Sequence, residues 1–401
     1  MPRRIFVTGL GIITGIGKNL AETKDSLLNL RTGIGKILYL DTNLRDEIPV
    51  SEVKCSLDEC FHLADIPVAE GFSRNTLLGI IAAKQAYKDI RLRGFHGQRT
   101  GLISSTTVGG MDRCELFYQD FLTNDSKNIY IDSYDCADST EKIADILGIN
   151  DYITTISTAC SSSANTIQLG ARMIRNGDLD IVVAGGTESL TKFHLNGFNA
   201  LKILDKNLCK PFDEKRNGIN LGEGAAYLVL ESEESVTKSG RKVICELIGW
   251  GNSCEAFHQT ASSPDGIGAY LAMKKAIDMS GLDVNDIDYI NAHGTGTDNN
   301  DISEGRAIEK VFGTKIPPVS STKPYTGHTT SAAGATEAII SILCLQEQVI
   351  WPNMNFSEPM KELNFVPVRE LMTGVKVRNV MSNSFGFGGN DTSLIFSEYK
   401  P

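Results

Sequence analysis

The sequence predicts an α/β fold made of two duplicated halves, and two observations carry that expectation. Short apolar, β-rich runs alternate with longer helical patterns along the whole chain, the order expected of buried sheets layered with helices. The pattern also occurs twice. RRIFVTGLG at 3–11 and RKVICELIGWG at 241–251 each open with a charged pair and an apolar run ending in glycine. In each half a helix follows, and then a strand opens into a polar Gly/Thr loop, LISSTTVGG at 102–110 and YINAHGTGT at 289–297. A small-residue helix comes next, CSSSANTIQLGARMI at 160–174 and HTTSAAGATEAIISI at 328–342. The expected halves are 1–234 and 235–401, with the paired loops and helix starts gathered around one pseudo-twofold axis.

In order, the expected strands are IFVTGLG (5–11), TGLISST (100–106), IVVAGG (181–186), AAYLVLES (225–232), VICELIGWG (243–251), YINAH (289–293) and TSLIFSE (392–398). They are short and rich in β-branched and aromatic residues. The expected helices are 73–90, 139–148, 161–176, 266–280, 301–312 and 331–347, each too long for a strand.

With 401 residues the chain has room for two or three domains at about 150 residues each. It is 41% hydrophobic and 22% charged, a globular composition. A net charge of -10 argues against nucleic acid or an anionic membrane as a bulk partner. The 9 cysteines are scattered, with no Cys-x-x-Cys pair and no histidine at ligand spacing. That excludes a zinc motif or a disulfide framework and fits reduced thiols in the cytoplasm. The opening MPRRIFVTGLGIITGIG has too many glycines and threonines for a signal peptide and reads as a first strand and loop. No apolar run reaches the ~18 residues a membrane span needs.

Four segments carry residues suited to chemistry. In TISTACSSSANTIQLGARMI an apolar stretch ends and Cys160 sits where a helix begins. A helix N-terminus favours thiolate over thiol, and its free N–H groups can hold an oxyanion. An inert buried cysteine fits these residues equally well. In NAHGTGTDNND, His293 ends a strand, and Thr295 and Thr297 alternate so that both hydroxyls face one cavity. In SSTKPYTGHTTSAAGATE, His328 precedes a helix whose dipole favours a neutral imidazole. Lys323 lies just upstream and Glu337 within the helix; a loop lysine is ordinarily solvated. In SNSFGFGGNDTSLIF, glycines and phenylalanines alternate through Phe387, as in a loop that approaches a ligand closely. One cysteine and two histidines at strand–helix junctions make a nucleophile with two hydrogen-bonding partners.

These segments resemble the β-ketoacyl-[acyl-carrier-protein] synthases of the thiolase-like superfamily. The resemblance runs nearly the whole length, through RIFVTGLGIITGIG, GFSRNTLLGIIAAKQA, TVGGM, STACSSSAN, AGGTES, KPFDEKRNGINLGEGAA, NAHGTGTDNND, STKPYTGHTTSAAGATE and NSFGFGGND. It implies a five-layer αβαβα fold of two duplicated halves, a cytoplasmic homodimer, no cofactor or metal, and an acyl carrier protein as partner. It implies Cys160 as the acylated nucleophile and His293 and His328 as the pair promoting malonyl decarboxylation. Lys323 takes the place of the motif lysine and Glu337 that of its supporting glutamate. Phe387 takes that of the gatekeeper, the N–H groups of Cys160 and Phe387 those of the oxyanion hole. Thr295 and Thr297 match the threonines holding pantetheine, and Val108 stands beside the acyl pocket. Lys210, Arg74 and Lys206 are candidates for docking the acidic carrier protein.

The sequence departs from the family pattern at Asn390-Asp391 after the glycines and at Lys210 opening KPFD. The implied activity is 3-oxoacyl-[acyl-carrier-protein] synthesis in fatty acid biosynthesis. The alternative is a ketosynthase of a specialised polyene, aryl-lipid or polyketide pathway, working with a heterodimeric partner. A non-catalytic partner subunit typically lacks the nucleophile, which is present here. A degradative thiolase needs a second cysteine in the C-terminal glycine loop, and SNSFGFGGND has none. Gly9 and Gly11 make only a weak nucleotide-binding signal.

Overall fold

A computed structural model describes residues 3–91 and 97–400, so Met1, Pro2 and Pro401, at the ends of the two expected halves, lie outside it. Its main elements run β1 (Ile5–Thr14), α1 (Arg74–Arg91), β2 (Thr100–Ser105), α2 (Cys136–Leu147), β3 (Tyr152–Ile156), α3 (Ser162–Asn176), β4 (Ile181–Glu188) and β5 (Gly224–Ser232). The second half runs β6 (Cys245–Cys254), α4 (Ile267–Ser280), β7 (Tyr289–Asn291), α5 (Asp298–Phe312), β8 (Val319–Ser320), α6 (Ala333–Glu347), β9 (Asn379–Gly386) and β10 (Asn390–Ser397).

Both halves have the same strand order. In the first it is β1-β5-β4-β2-β3, and in the second β6-β10-β9-β7-β8. The senses match as well: the first two pairings in each are antiparallel, and β2 and β7 each lie parallel to both neighbours. The two blocks meet where β1 pairs with β6, through Phe6 with Glu246 and Val7 with Cys245.

The layers follow from side-chain alternation. On β5, Ala225, Tyr227 and Val229 pack with α1 residues such as Leu77 and Ile81. Their neighbours Ala226, Leu228 and Leu230 face the opposite way, against Ile167 and Ala171 of α3 and Ile339 of α6. A strand covered on both faces is apolar throughout, hence the unbroken AAYLVL. In the second half, Ala272 and Met273 of α4 and Ile308 of α5 cover Ile290, Met381 and Ile395. Helices α3 and α6 thus lie between the two five-stranded blocks of one ten-stranded sheet, and the outer helices complete five layers. Helix α6 is buried at every position from Ala333 to Leu345, which only a central helix tolerates. At its start, a Cβ on Gly334 would meet the backbone nitrogen of Ala164 at 2.6 Å, so glycine sets how closely α6 approaches α3.

The sequence reading missed β9, whose NVMSNSFG looks like a polar loop. Its buried Asn383 is paired on both sides: Ser393 Oγ of β10 donates to Asn383 Oδ1 at 2.8 Å, and Asn383 Nδ2 donates to Glu304 of α5 at 3.2 Å. No described helix is long and apolar enough to cross a membrane.

Candidate active site

Three strand–helix junctions from the two halves converge. Cys160 follows β3, His293 follows β7 and His328 precedes α6; all are buried. The cysteine sulfur and one nitrogen from each ring lie within 4.8 Å of one another.

Cys160 does not begin its helix. Helix α3 starts at Ser162, and Ala159 before the thiol holds a φ of 53°. A left-handed non-glycine residue costs ~1–3 kcal/mol and persists only where its surroundings enforce it. Ser162 enforces it here: its hydroxyl accepts from Thr158 N at 2.8 Å and donates to Ala159 O at 2.6 Å. Burial pushes the thiol up to about 11, against the backbone N–H groups of Phe387 and of Cys160 itself. This corrects the expectation of a resting thiolate, because desolvation outweighs the N–H groups. Nε2 of His328 lies 3.0 Å from the sulfur, placed to take its proton.

The His293 loop hangs from α5. Glu304 accepts from His293 N at 2.9 Å and Gly294 N at 2.7 Å, and Asp301 accepts from Thr295 N at 3.0 Å and Gly296 N at 3.1 Å. Gly296, with φ 81°, supplies the left-handed turn that keeps both N–H groups aimed at one carboxylate. Burial pushes Glu304 up to about 7. The sequence reading overlooked these two acids. Their signal was two carboxylates at i and i+3 directly after the loop, where a helix start favours acids.

Lys323 is not a solvated loop residue: its side chain is 0% exposed. It forms an ion pair with Glu337, donates to the carbonyl of His293, and holds Nζ 3.2 Å from His293 Nδ1. Burial pushes Glu337 up to about 7 against the pull of Lys323. An ammonium donating to Nδ1 leaves the imidazole proton on Nε2. Burial first, and Lys323 second, hold both imidazoles well below their usual range, so both are neutral. The rings stand 5.4 Å apart at 82°. Among the described residues Nδ1 of His328 meets no hydrogen-bond partner, and an Nε2 placed to take the thiol proton leaves the ring's own proton on Nδ1. One thiol and two imidazoles also form a soft donor set, but the ammonium beside His293 disfavours a cation there.

The Phe387 segment is a hairpin rather than an open loop. Phe385 and Gly386 pair with Asp391 and Asn390, leaving Phe387–Gly389 as the turn. Asn390 Oδ1 accepts from Ser161 Oγ at 2.9 Å, Asn165 Nδ2 at 2.8 Å and Asn252 Nδ2 at 2.9 Å. The turn carrying the Phe387 N–H is therefore tied to the start of α3. The Phe387 ring stacks on Phe198 at 5.8 Å.

A cavity of about 200 Å³ contains Cys160, His293, His328 and Phe387, with Thr295 and Thr297 on its wall. The two threonine hydroxyls lie 2.8 Å apart. Val108 is not in this cavity; it lines another with Met111, Tyr134 and Phe193. Arg74 is excluded from carrier-protein docking. Its side chain is 12% exposed and is spent on Glu223 at 2.6 Å and on the carbonyls of Val53 and Cys55. Lys206 is exposed, and Lys210 is half-buried.

The arrangement can transfer a proton from a thiol, donate hydrogen bonds to a developing enolate, and hold a tetrahedral oxyanion on two N–H groups. Comparison with known proteins agrees. Residues 2–235 match the model of the β-ketoacyl synthase N-terminal domain, and residues 244–357 that of the C-terminal domain. The chain is 31% identical to 3-oxoacyl-[acyl-carrier-protein] synthase 2 of Staphylococcus aureus (strain N315), over 99% of both chains. It is 33% identical to the Vibrio cholerae protein of the same name, over 98% of this chain and 99% of that one. Among solved structures it resembles the ishigamide ketosynthase/chain length factor, with a TM-score of 0.92, 30% identity and full coverage of both chains. It also resembles a β-ketoacyl synthase from Burkholderia phymatum STM815, with a TM-score of 0.85 and 26% identity, over 99% of this chain and 100% of that one.

Proposed function

The chain belongs to the β-ketoacyl synthase family, and we propose that it is a 3-oxoacyl-[acyl-carrier-protein] synthase whose acyl intermediate forms on Cys160. The observation that carries this reading is the 3.0 Å contact between the Cys160 sulfur and Nε2 of His328, beside a second histidine pinned as a donor.

The first half-reaction moves an acyl group from carrier protein to enzyme. The sulfur attacks the thioester carbonyl as its proton passes to Nε2 of His328. The oxyanion forms on the Cys160 and Phe387 N–H groups. Its collapse breaks the bond to the pantetheine sulfur, which leaves with the proton from His328.

In the second half-reaction the malonyl thioester occupies the same cavity, its pantetheine arm along Thr295 and Thr297. The bond to the carboxylate breaks, carbon dioxide leaves, and the electron pair becomes an enolate. His293 Nε2–H and the ring of His328, both buried, donate to its oxygen. The carbanion attacks the acyl carbonyl on Cys160, and the tetrahedral intermediate expels the sulfur as a thiolate, which takes up the one proton that the overall reaction consumes from solvent. The product is two carbons longer and carries a 3-oxo group. Nε2 of His328 accepts a proton in the first half-reaction and, in the Nε2–H tautomer, donates in the second.

Lys206 and Lys210 are proposed to meet the acidic carrier protein, and a homodimer is the proposed assembly, each chain carrying its own complete constellation. The likeness to the ishigamide ketosynthase/chain length factor favours a second reading, an active subunit that works beside a homologous partner chain. Intact-protein mass after mixing with acyl-carrier-protein tests the first reading. An acyl adduct that disappears in Cys160→Ala supports it, and an adduct that persists there refutes it. An adduct that forms only after a homologous partner chain is added decides for the second.

A further inference from the structure

Asn390 opens β10 directly after the Phe387–Gly389 turn, at a place where the sequence departs from the family pattern. Its Oδ1 accepts from Ser161 Oγ just ahead of α3 at 2.9 Å, from Asn165 Nδ2 in the first turn of α3 at 2.8 Å, and from Asn252 Nδ2 in β6 at 2.9 Å. The donors are themselves fixed. Asn165 Nδ2 also donates to Thr158 Oγ1 at 2.9 Å, and Asn165 Oδ1 accepts from Thr392 Oγ1 at 2.8 Å and Asn252 Nδ2 at 3.2 Å. Both polar atoms of the Asn165 amide are thus engaged, and the side chain cannot turn without breaking bonds on each side.

This knot joins two groups that must act together. The N–H of Cys160 comes from the first half of the chain and that of Phe387 from the second, yet both bear on the Cys160 sulfur. Thr158, Ser161 and Asn165 flank Cys160, and Asn390 closes the turn that carries Phe387. Other ties of the turn run within its own half: Gly388 N donates to Gln259 O at 2.9 Å, and Glu255 N to Gly389 O at 3.1 Å. Those bonds hold the shape of the turn; they do not set its distance from Cys160. Nor does a side chain act as spacer at Gly386, where a Cβ would lie 3.0 Å from Thr158 O and 3.3 Å from Cys160 N. Truncating Asn390 strands its donors and frees the turn to shift against the thiol.

We propose that Asn390 is a positioning residue for the oxyanion hole, its side-chain oxygen setting the spacing between the Cys160 and Phe387 N–H groups. It then serves the steps that pass through a tetrahedral oxyanion, acyl transfer and condensation. It does not serve decarboxylation, whose enolate is held by His293 and His328. The inference rests on the proposed role of Cys160.

Two measurements on Asn390→Ala test it: loading of Cys160 from acyl-carrier-protein, followed by intact mass, and carbon dioxide release from malonyl-carrier-protein given alone. The maximal loading rate is expected to fall about 100-fold, the cost of a misplacement of ~1 Å, while the half-saturating donor concentration changes little. Carbon dioxide release is expected to hold near the wild-type rate. Asn165→Ala withdraws a donor from the α3 side; it is expected to show the same split, and it decides the matter if Asn390→Ala does not fold. The double variant is expected to lose less than the product of the two single losses, because both remove one shared bond. An equal fall in loading and in carbon dioxide release overturns this inference alone, as does unchanged loading in a folded Asn390→Ala protein. Loading of wild type by no acyl donor overturns the role of Cys160 and the inference with it.

Discussion

Nζ of Lys323 and Nδ1 of His293 face each other at 3.2 Å inside the protein, with the Glu337 carboxylate on the other side of the ammonium. One buried cation thus decides which nitrogen of the His293 ring carries its proton.

Lys323→Ala should therefore impair decarboxylation more than acylation. Loss of a positioned donor to an enolate costs about 10²–10³ in rate. The measurement is carbon dioxide release from malonyl-carrier-protein beside acyl transfer to Cys160, and an equal loss in both steps would contradict the assignment. The variant also strands Glu337, so a fall of about 3–5 kcal/mol in stability is expected.

Cys160 should alkylate slowly near neutral pH. Its thiol is pushed up to about 11 by burial, so the thiolate fraction still rises tenfold per pH unit between 7 and 10. Iodoacetamide inactivation should climb through that window without a plateau near 8.5, the ordinary cysteine value. A plateau there would mean that the N–H groups overcome burial.

Asp391 should make the fold less stable as pH rises. Burial, with Glu255 and Glu304 nearby, raises this carboxyl to about 8 from an ordinary 3.8, and its Oδ1 meets no partner among the described residues. The folded chain then holds a proton that the unfolded chain has lost. Stability is fully present below about pH 4 and declines towards pH 8, by ~1.4 kcal/mol per unit at most. Asp391→Asn should flatten that slope and raise the melting temperature at pH 8. An unchanged slope would place the ionised carboxylate in the native fold.

Lys206→Glu with Lys210→Glu should weaken carrier-protein binding, and the difference from wild type should shrink as salt is raised. Titration at two ionic strengths measures this, and equal affinities would remove both residues from the docking surface. Arg74→Glu should instead destabilise the fold by about 3–5 kcal/mol through its buried pairing with Glu223.

Much of this was legible in the sequence, for reasons specific residues make plain. AAYLVL reads as a strand covered on both faces, and Cys160, His293 and His328 each stand at a recognisable junction. Contacts between distant parts of the chain were not legible. Arg74 looks like a surface cation until Glu223, far along the sequence, arrives beside it. Val108 reads as a neighbour of the Cys160 cavity, but the fold sets it in the wall of another one. The resting state of Cys160 depends on desolvation, and a helix-start motif cannot report how deeply it will be buried.

The repeated strand order has a consequence for inheritance. Two identical unfused copies would share one gene, and every mutation would alter both junctions together. Fusion lifts that restriction. Cys160 and His328 stand at corresponding places ahead of α3 and α6, yet one is a thiol and the other an imidazole. A single lopsided centre at the meeting of two like frames is something a pair of identical chains has no means to encode.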